Sequence, residues 1–286
     1  MFSKRVILLL VFTILITSLV GCEISPNVQT ISNDRFLKVH VLDVGQGDSI
    51  LITTPENKAV LIDGGQPQYG PYIVDYLEDQ GVDTIDILIA THPHADHIGG
   101  LKDVIEALEI KEMIMPKVSH TSKTFEELLL TIESKNLLIT PAKGGLTYQL
   151  DPDISLSILA PLRDGNSLNN WSVVARLVYD NKAFLFTGDA EIEVEEDLLA
   201  TYEEVNLKSH LLKVGHHGSK TSTSKEFLDA VEPDIAVISL GKNNTYGFPH
   251  TETLEKLQNF HIYRTDHHGT VVFYSDGKEI WTNTKP

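Results

Sequence analysis

Cysteine is nearly absent from this chain, since Cys22 is the only one among 286 residues. A disulfide within the chain is therefore excluded, and so is a thiolate acting as nucleophile or metal ligand anywhere else. The sequence also lacks a short-period repeat, a low-complexity segment and any shift in composition that would mark a second globular domain. Any chemistry must come from side chains other than thiols.

Basic residues are scarce, because 23 Lys and Arg stand against 40 Asp and Glu, for a net charge of −17 with histidine neutral. Removing a leader over residues 1–21, which holds two basic residues and no acidic one, makes the net charge −19. A large sequence-independent grip on nucleic acid needs a basic face, and this composition argues against one. Strong acidity favours solubility at a cell surface.

The longest apolar run stands at the start of the chain, where Lys4 and Arg5 precede segment 6–19 and Leu19-Val20-Gly21-Cys22 follows it. This layout is typical of a secretory signal, and its end resembles the bacterial lipobox, in which the cysteine is lipidated. We therefore expect a lipid-anchored protein on the extracytoplasmic face of a bacterial cell membrane. Its parts would be a signal peptide over 1–21, lipidation at Cys22 and a tether over 22–35. An uncleaved transmembrane anchor is the alternative, because the run is nearly long enough to span.

Four residues with metal-binding side chains fall within six positions of the segment Thr91-His92-Pro93-His94-Ala95-Asp96-His97. The apolar segment 85–90 predicts a buried strand, and Pro93 predicts a loop at that strand's carboxyl end. Open α/β sheets bind their ligands at such an edge. Imidazole and carboxylate are usual zinc ligands in hydrolytic sites, and a cation would hold three neutral histidines together. A solvated His-rich loop or an adventitious metal patch is the alternative.

Strands and helices alternate along both halves of the chain, while segment 137–186 is mostly strand. Strand-rich blocks flanked by helices imply an α+β fold of two packed sheets covered by helices on the outside. Several apolar strands run into ligand-capable residues at what we expect to be one sheet edge. These residues are Asp63, the His cluster, Asp189 and the pair His216-His217. One strand-ending carboxylate is usually only a turn former, but this coincidence indicates a site.

The order of these motifs resembles the metallo-β-lactamase superfamily: Leu61-Ile62-Asp63-Gly64, then His92-x-His94-x-Asp96-His97, then Thr187-Gly188-Asp189, then a late His-Gly. Further segments resemble the hydrolase domain of ComEC/Rec2 DNA-uptake proteins. They are Val44-Gly45-Gln46-Gly47-Asp48-Ser49, Asn169-Asn170-Trp171-Ser172-Val173-Val174, Lys213-Val214-Gly215-His216-His217-Gly218-Ser219 and Asn243-Asn244-Thr245-Tyr246-Gly247. The resemblance covers nearly all of the chain beyond the tether. It implies a four-layer αββα sandwich over residues 36–286, acting as a hydrolase domain.

This resemblance also implies two divalent metal ions, about 3.5–4 Å apart, that share a hydroxide nucleophile. Six residues would hold them: His92 and His94 the first ion, Asp96, His97 and His217 the second, and Asp189 both.

The choice between His216 and His217 follows the same resemblance. A glycine follows the ligand in related enzymes, so we favour His217 as the ligand. His216 is then free to act on the substrate as an acid or an oxyanion donor, and Asp96 and His216 are the expected catalytic residues. Asp63 would hold the His loop without contacting metal.

One departure from the superfamily pattern concerns the first metal. A third histidine usually stands before the strand that leads to the Gly-Asp, but here the place reads Leu168-Asn169-Asn170-Trp171-Ser172, a gap that ComEC-like members share. We therefore expect weaker binding at the first site and a preference moving from Zn²⁺ towards Mn²⁺. Asn169, Asn170 and His250 are candidate contacts to the substrate or the first metal, and His250 is equally a candidate helix-start residue.

The sequence thus predicts an exported metal-dependent hydrolase, and the ComEC resemblance makes a phosphodiesterase or nuclease the leading hypothesis. Its substrate would be nucleic acid or an envelope polymer, its membrane contact would be the lipid at Cys22, and no obligate protein partner is inferred. A lactone or β-lactam acyl hydrolase is one alternative, although such enzymes usually keep the third histidine. A non-catalytic metal-binding surface protein is the other.

Overall fold

The structure is a computed structural model that describes residues 36–286. The predicted signal peptide, the lipidation site Cys22 and the tether lie outside the described residues. Within the described part, no helix combines the length and the apolar character that crossing a bilayer requires.

Two large β-sheets form the centre of the fold. In chain order the strands are β1 (Leu37–Val41), β2 (Ile50–Thr53), β3 (Ala59–Ile62), β4 (Thr84–Ile85), β5 (Ile87–Ile89), β6 (Glu109–Ile110), β7 (Met113–Met115), β8 (Ile139–Pro141), β9 (Thr147–Asp151), β10 (Ile154–Ala160), β11 (Val174–Tyr179), β12 (Lys182–Phe186), β13 (Leu211–Lys213), β14 (Ile235–Ile238), β15 (His261–Arg264), β16 (Val271–Ser275) and β17 (Ile280–Thr282). The first sheet has the order β17-β16-β1-β2-β3-β5-β7-β8, and the second has the order β15-β14-β13-β12-β11-β10-β9. Strands β3, β5, β7 and β8 are parallel, as are β12 to β15.

Helices lie against the outer faces of these sheets. They are α1 (Gly70–Asp79), α2 (Ala95–Ile98), α3 (Leu101–Ala107), α4 (Lys123–Ser134), α5 (Ile192–Thr201), α6 (Glu204–Leu207), α7 (Lys225–Val231), α8 (Thr251–Leu257) and α9 (Thr265–His268), with 3-10 turns at Pro67–Tyr69, Asn169–Trp171 and Gly215–Gly218. Ser122 and Ser224 set where α4 and α7 begin, because each hydroxyl accepts a backbone N–H of the first turn.

The buried apolar side chains form three clusters, and these define four layers. One cluster lies between the two sheets, the second lies between the first sheet and helices α1, α3 and α4, and the third lies between the second sheet and helices α5, α7 and α8. Strand β2 shows how one strand serves two clusters, since Ile50 and Ile52 face the other sheet and Leu51 faces the helices. The predicted αββα sandwich is confirmed.

Two expectations about the segments that carry the site are wrong. The ligand-capable residues do not follow strands of one sheet, because β3 and β5 belong to the first sheet whereas β12 and β13 belong to the second. All four strands are buried, so their apolar sequences carry no mark of which sheet they join. The His cluster is also not entirely loop, because Ala95–Ile98 forms one helical turn.

His40 is a buried histidine outside the candidate site. It lies on β1 with 2% of its surface exposed, and its Nδ1 is 2.8 Å from the hydroxyl oxygen of Tyr76. Burial, assisted by the positive charge of Lys38, lowers the pKa of His40 from 6.5 to about 4. The ring is therefore neutral in the folded chain at neutral pH.

This neutral ring should make stability depend on pH. Between pH 6.5 and about 4 the unfolded chain binds the proton and the folded chain does not, so stability that is present above pH 6.5 is lost as the pH falls. Over that interval we expect the free energy of unfolding of the wild type to fall by about 3 kcal/mol more than that of His40→Asn, which cannot titrate there. Urea unfolding at several pH values measures both, and parallel profiles would contradict the assignment.

Candidate metal centre

The candidate site lies where the carboxyl ends of strands from both sheets meet. Asp63 directly follows β3 and His92 comes soon after β5, both in the first sheet. Asp189 follows β12 and His217 follows β13, both in the second sheet. The site is therefore built across the sandwich, and each half of the chain supplies part of it.

His92, His94 and Asp189 form the first group of potential metal ligands. The Nε2 atom of His92 lies 2.9 Å from Nδ1 of His94 and 3.8 Å from Oδ2 of Asp189. Behind the His92 ring, the hydroxyl oxygens of Thr91 and Ser172 lie 3.1 and 3.4 Å from its Nδ1. The residues predicted for the first metal are thus brought together.

Asp96, His97 and His217 form the second group. Helix α2 begins after His94, and its single turn carries both Asp96 and His97. Nε2 of His217 lies 3.3 Å from Nε2 of His97 and 3.4 Å from Oδ2 of Asp96. Oδ2 of Asp189 lies 3.3 Å from His97 Nε2 and 3.4 Å from His217 Nε2. Asp189 therefore stands between the two groups, where a bridging ligand was predicted.

Hydrogen bonds behind the second group determine which nitrogen of each ring faces the centre. Nδ1 of His97 lies 2.7 Å from a carboxylate oxygen of Asp63, and Nδ1 of His217 lies 2.8 Å from the carbonyl oxygen of Ser239. Both partners are acceptors, so each Nδ1 donates its hydrogen, and each ring presents an Nε2 lone pair to the centre once the proton on Nε2 is lost. Two such lone pairs, 3.3 Å apart, require a positive charge between or beside them.

Asp63 also holds the segment that precedes the His cluster. Its carboxylate accepts hydrogen bonds from the backbone N–H of Thr91 at 2.8 Å and from the Thr91 hydroxyl at 2.7 Å. Asp63 is fully buried. These contacts fit its predicted role of fixing the His loop without contacting metal.

Asp189 carries a buried charge, and one of its two oxygens lacks a donor within the described residues. It is 2% exposed, yet its Oδ1 has no hydrogen-bond partner among the residues that the structure describes. Burial alone would raise the pKa of Asp189, but His217 and His97 outweigh it and hold the pKa well below its usual value, so the carboxylate is ionised. A buried ionised oxygen without a donor is costly. Together with the facing Nε2 atoms, it fits divalent cations held by nitrogen and oxygen ligands.

The histidines of the two groups differ in charge. Burial lowers the pKa of His92 well below its usual value, and burial also lowers the pKa of His94, so both rings are neutral. Burial alone would do the same to His97 and His217, but the carboxylates around them, Asp189 foremost, raise both pKa values well above 6.5. The first group is thus ready to bind a cation, whereas at the second a cation would displace a proton.

The adjacent residues His216 and His217 take different directions. Their φ angles of 46° and 52° are left-handed, which is uncommon for residues other than glycine and marks a strained turn. The side chain of His217 is 1% exposed, whereas that of His216 is 20% exposed. Nε2 of His216 lies 3.9 Å from Asp189 Oδ2, and its Nδ1 lies 3.2 Å from the hydroxyl of Thr221 and 3.5 Å from Glu191. This placement favours His217 as the ligand and leaves His216 at the rim.

Asn169 and Asn170 have different surroundings. Nδ2 of Asn169 lies 3.5 Å from the His216 ring, and its Oδ1 is buried without a partner in the described part of the chain. Nδ2 of Asn170 instead donates to Asn166 and Glu193, at 2.8 Å each. Asn169 stays a candidate contact to substrate or metal. The same contact from Asn170 stays a prediction, although its amide nitrogen already bonds to Asn166 in the loop and to Glu193 on α5.

His250 directly precedes helix α8, as the helix-start interpretation predicted. Its Nδ1 accepts a hydrogen bond of 3.0 Å from the backbone N–H of Lys220, and its own N–H donates to the carbonyl of Gly218 at 3.0 Å. His250 therefore ties the segment after His217 to the start of α8. A contact between His250 and the substrate stays a prediction.

Comparison with known proteins decides the family. The sequence profile of the metallo-beta-lactamase superfamily matches residues 42–242. The chain belongs to this superfamily. It is 33% identical over 256 residues to ComE operon protein 3 of Bacillus subtilis (strain 168), covering 82% of this chain and 33% of that protein. It is 32% identical over 256 residues to Recombination protein 2 of Haemophilus influenzae, covering 85% and 30%. The chain spans about a third of the length of these curated relatives.

The solved structures agree on the fold. The metallo-beta-lactamase fold protein YhfI from Bacillus subtilis matches with a TM-score of 0.55 at 10% identity, covering 84% of this chain and 100% of that one. The predicted superfamily and the resemblance to ComEC/Rec2 hydrolase domains are therefore confirmed. In this member of the metallo-β-lactamase superfamily the His/Asp groups indicate divalent metal ions, while the choice between zinc and manganese stays a prediction.

Sequence reasoning missed a buried ion pair behind this centre. Nζ of Lys213, at the end of β13, lies 2.7 Å from Oδ2 of Asp48, and neither side chain is more than 2% exposed. Burial alone would raise the pKa of Asp48, but Lys213 and His217 outweigh it and lower the pKa to about 2. The other carboxylate oxygen of Asp48 is 3.5 Å from Nδ1 of His217. The pair therefore lies directly behind the ring of His217.

Removing only one partner of this ion pair should lower the free energy of unfolding more than removing both charges. We expect Lys213→Met to lower the free energy of unfolding by about 3–5 kcal/mol, because it leaves Asp48 buried and unpaired. The double variant Lys213→Met with Asp48→Asn should regain part of that loss, because no net charge remains buried. Lys208, which pairs with Glu232 at the surface, supplies a matched control, and Lys208→Met should cost under about 1 kcal/mol. Urea unfolding measures all three, and a double variant less stable than Lys213→Met would contradict this account.

Proposed function

We propose that this member of the metallo-β-lactamase superfamily is an exported, lipid-anchored hydrolase that uses divalent metal ions to cleave phosphodiester bonds. The observation that carries the proposal is the pair of ligand groups that share the buried Asp189, with Asn169 near the position where the superfamily usually has a third histidine. Paired metal sites are suited to in-line displacement at phosphorus, where both the attacking and the leaving oxygen need stabilisation. The names Recombination protein 2 and Competence protein ComA associate two relatives with recombination and with competence.

The residues that would hold the metals are those of the two groups. His92, His94 and Asp189 would bind one cation, and Asp96, His97 and His217 would bind another with Asp189 shared. The bound cations would ionise a water molecule and offset the negative charge that develops on the phosphoryl oxygens. Asp63 and Ser239 keep His97 and His217 in the tautomer that such binding needs.

In this proposal His216 would deliver a proton to the leaving oxygen. Its ring is partly exposed at the rim of the centre, where Thr221 and Glu191 hold its Nδ1. The other ring nitrogen, Nε2, lies 3.9 Å from the carboxylate of Asp189, on the side where a substrate would bind. Asp96, whose side chain is 26% exposed, borders the same opening and completes the predicted catalytic pair.

The leaving group offers a direct test of this assignment. Manganese- or zinc-loaded protein should hydrolyse both bis-p-nitrophenyl phosphate and a thymidine dinucleotide. The p-nitrophenolate leaving group departs without a proton, whereas the alkoxide of the dinucleotide needs one. His216→Asn should therefore lower kcat on the dinucleotide by about 10²–10⁴-fold and kcat on the nitrophenyl ester far less. Steady-state kinetics on both substrates measures the difference. His217→Ala should lower both rates together.

His261 provides a matched control, because it is an exposed histidine on β15 and His261→Asn should leave both rates unchanged. Equal losses on the two substrates in His216→Asn would remove the acid role but keep the phosphodiesterase. If no phosphodiester is cleaved and nitrocefin or a lactone is, the enzyme is an acyl hydrolase instead. Inactivity on all of these substrates would favour the non-catalytic metal-binding protein.

A further inference from the structure

Two stacked aromatic rings stand beside the metal centre and are not used by the chemistry above. Tyr246 and Phe248 lie 5.4 Å apart between ring centroids, with 13° between their planes. Phe248 in turn is 5.4 Å from the ring of His216 and 6.2 Å from that of His217. The stack therefore begins at the rim of the centre and leads away from it.

Tyr246 forms the outer end of this stack and is 63% exposed. Phe248 covers one face of its ring, so the exposed surface belongs to the other face and the edge. An exposed aromatic ring does not contribute to the stability of the fold as a buried ring would. A ring placed this way, next to a catalytic centre, is suited to stack a flat group of the substrate.

The loop that presents Tyr246 is held in shape by one side chain. The amide oxygen of Asn244 accepts the backbone N–H groups of Tyr246 at 3.2 Å and Phe248 at 3.0 Å. Its amide nitrogen donates to the carbonyl oxygens of Phe248 at 2.8 Å and Gly241 at 3.2 Å. The backbone that carries both rings is thus held in place before a ligand arrives, which lowers the entropy cost of binding.

Charge around the centre argues against recognition through phosphates alone. The chain carries a net charge of −17. Beside His216, a surface groove is lined by Glu191, Glu193 and Lys220 among others. Lys220, the cation of that groove, already faces Glu252 at 3.9 Å. Binding of a polyanion through its phosphates needs many unpaired Lys or Arg side chains, whereas stacking of a base on an aromatic ring needs none.

We propose that Tyr246, supported by Phe248, is a stacking subsite for a nucleobase, and that the substrate is a short single-stranded oligonucleotide. This inference rests on the proposed phosphodiesterase function. Two ring-to-ring steps, of 5.4 and 6.2 Å, separate Tyr246 from His217, so the stacked base flanks the scissile phosphate and does not carry it. Stacking is tolerant of sequence because every base has a flat face.

The test compares two probes that have the same charge. One is a fluorescein-labelled pentathymidylate, and the other is an abasic oligomer of equal length, both with phosphorothioate linkages that slow cleavage. Fluorescence anisotropy with manganese-loaded full chain measures Kd. The wild type should bind the pentathymidylate about tenfold more tightly than the abasic oligomer, which is the scale of one base–aromatic stack.

Variants at position 246 separate stacking from bulk. Tyr246→Ala and Tyr246→Leu should both abolish the preference for bases, whereas Tyr246→Phe and Tyr246→Trp should keep it, because they retain a flat ring. A wild type that binds both oligomers equally, or a Tyr246→Leu variant that keeps the preference, would overturn the subsite. Base-dependent binding without cleavage of any phosphodiester would instead overturn the proposed function and leave the subsite intact.

Discussion

The arrangement of the metal centre depends on the negative charge of one buried carboxylate, that of Asp189. Asp189 is ionised, out of contact with solvent and surrounded by imidazole rings, and one of its oxygens has no donor within the described residues. A folded chain tolerates such a group only if a positive charge completes it. Protons on His97 and His217 can do so in the metal-free chain, and divalent cations can do so when they are bound. The site is therefore built around a buried negative charge that either protons on imidazole or bound cations can balance.

The sandwich fixes the positions of Asp189 and of the imidazole rings around it. Each sheet contributes the carboxyl ends of two neighbouring parallel strands, and the apolar cluster between the sheets holds those ends together. Close approach of the loops depends on Gly47, whose φ of +140° and lack of a side chain allow its backbone to pass the carbonyl oxygen of Asp96. The buried Lys213–Asp48 pair then fills the space behind His217. Rigid strands thus hold ligands that belong to segments far apart in the chain.

Local sequence spacing indicates the candidate ligands, and the family resemblance assigns them to two metal sites. Residues His92 to His97 come from one short segment, and Asp189 follows a strand that its apolar pattern reveals, so both could be recognised without a structure. The fold followed from the alternation of strands and helices together with the family resemblance. The choice of His217 over His216 came from the resemblance alone, and the strained turn between them supplies its physical reason.

Features that depend on contacts between distant segments could not be predicted. Lys213 reads as an ordinary strand-ending residue until the fold brings Asp48 beside it. Ser239 acts through a backbone carbonyl, which leaves no mark in the sequence. Helix α2 is one turn long, too short to show a helical period. Asn169 and Asn170 look alike as neighbours in the sequence, yet only the amide of Asn170 bonds to Asn166 and to Glu193 on α5.

Metal content is the most direct test of the claim that Asp189 and the two His/Asp groups bind divalent cations. Elemental analysis of the full chain at saturating manganese or zinc should find two equivalents of metal, one of which survives dialysis because the first group lacks a third imidazole. Asp189→Asn should lose both, since it removes the charge that the two groups share. A wild-type chain that holds less than one equivalent at saturation, no more than Asp189→Asn, would contradict the account.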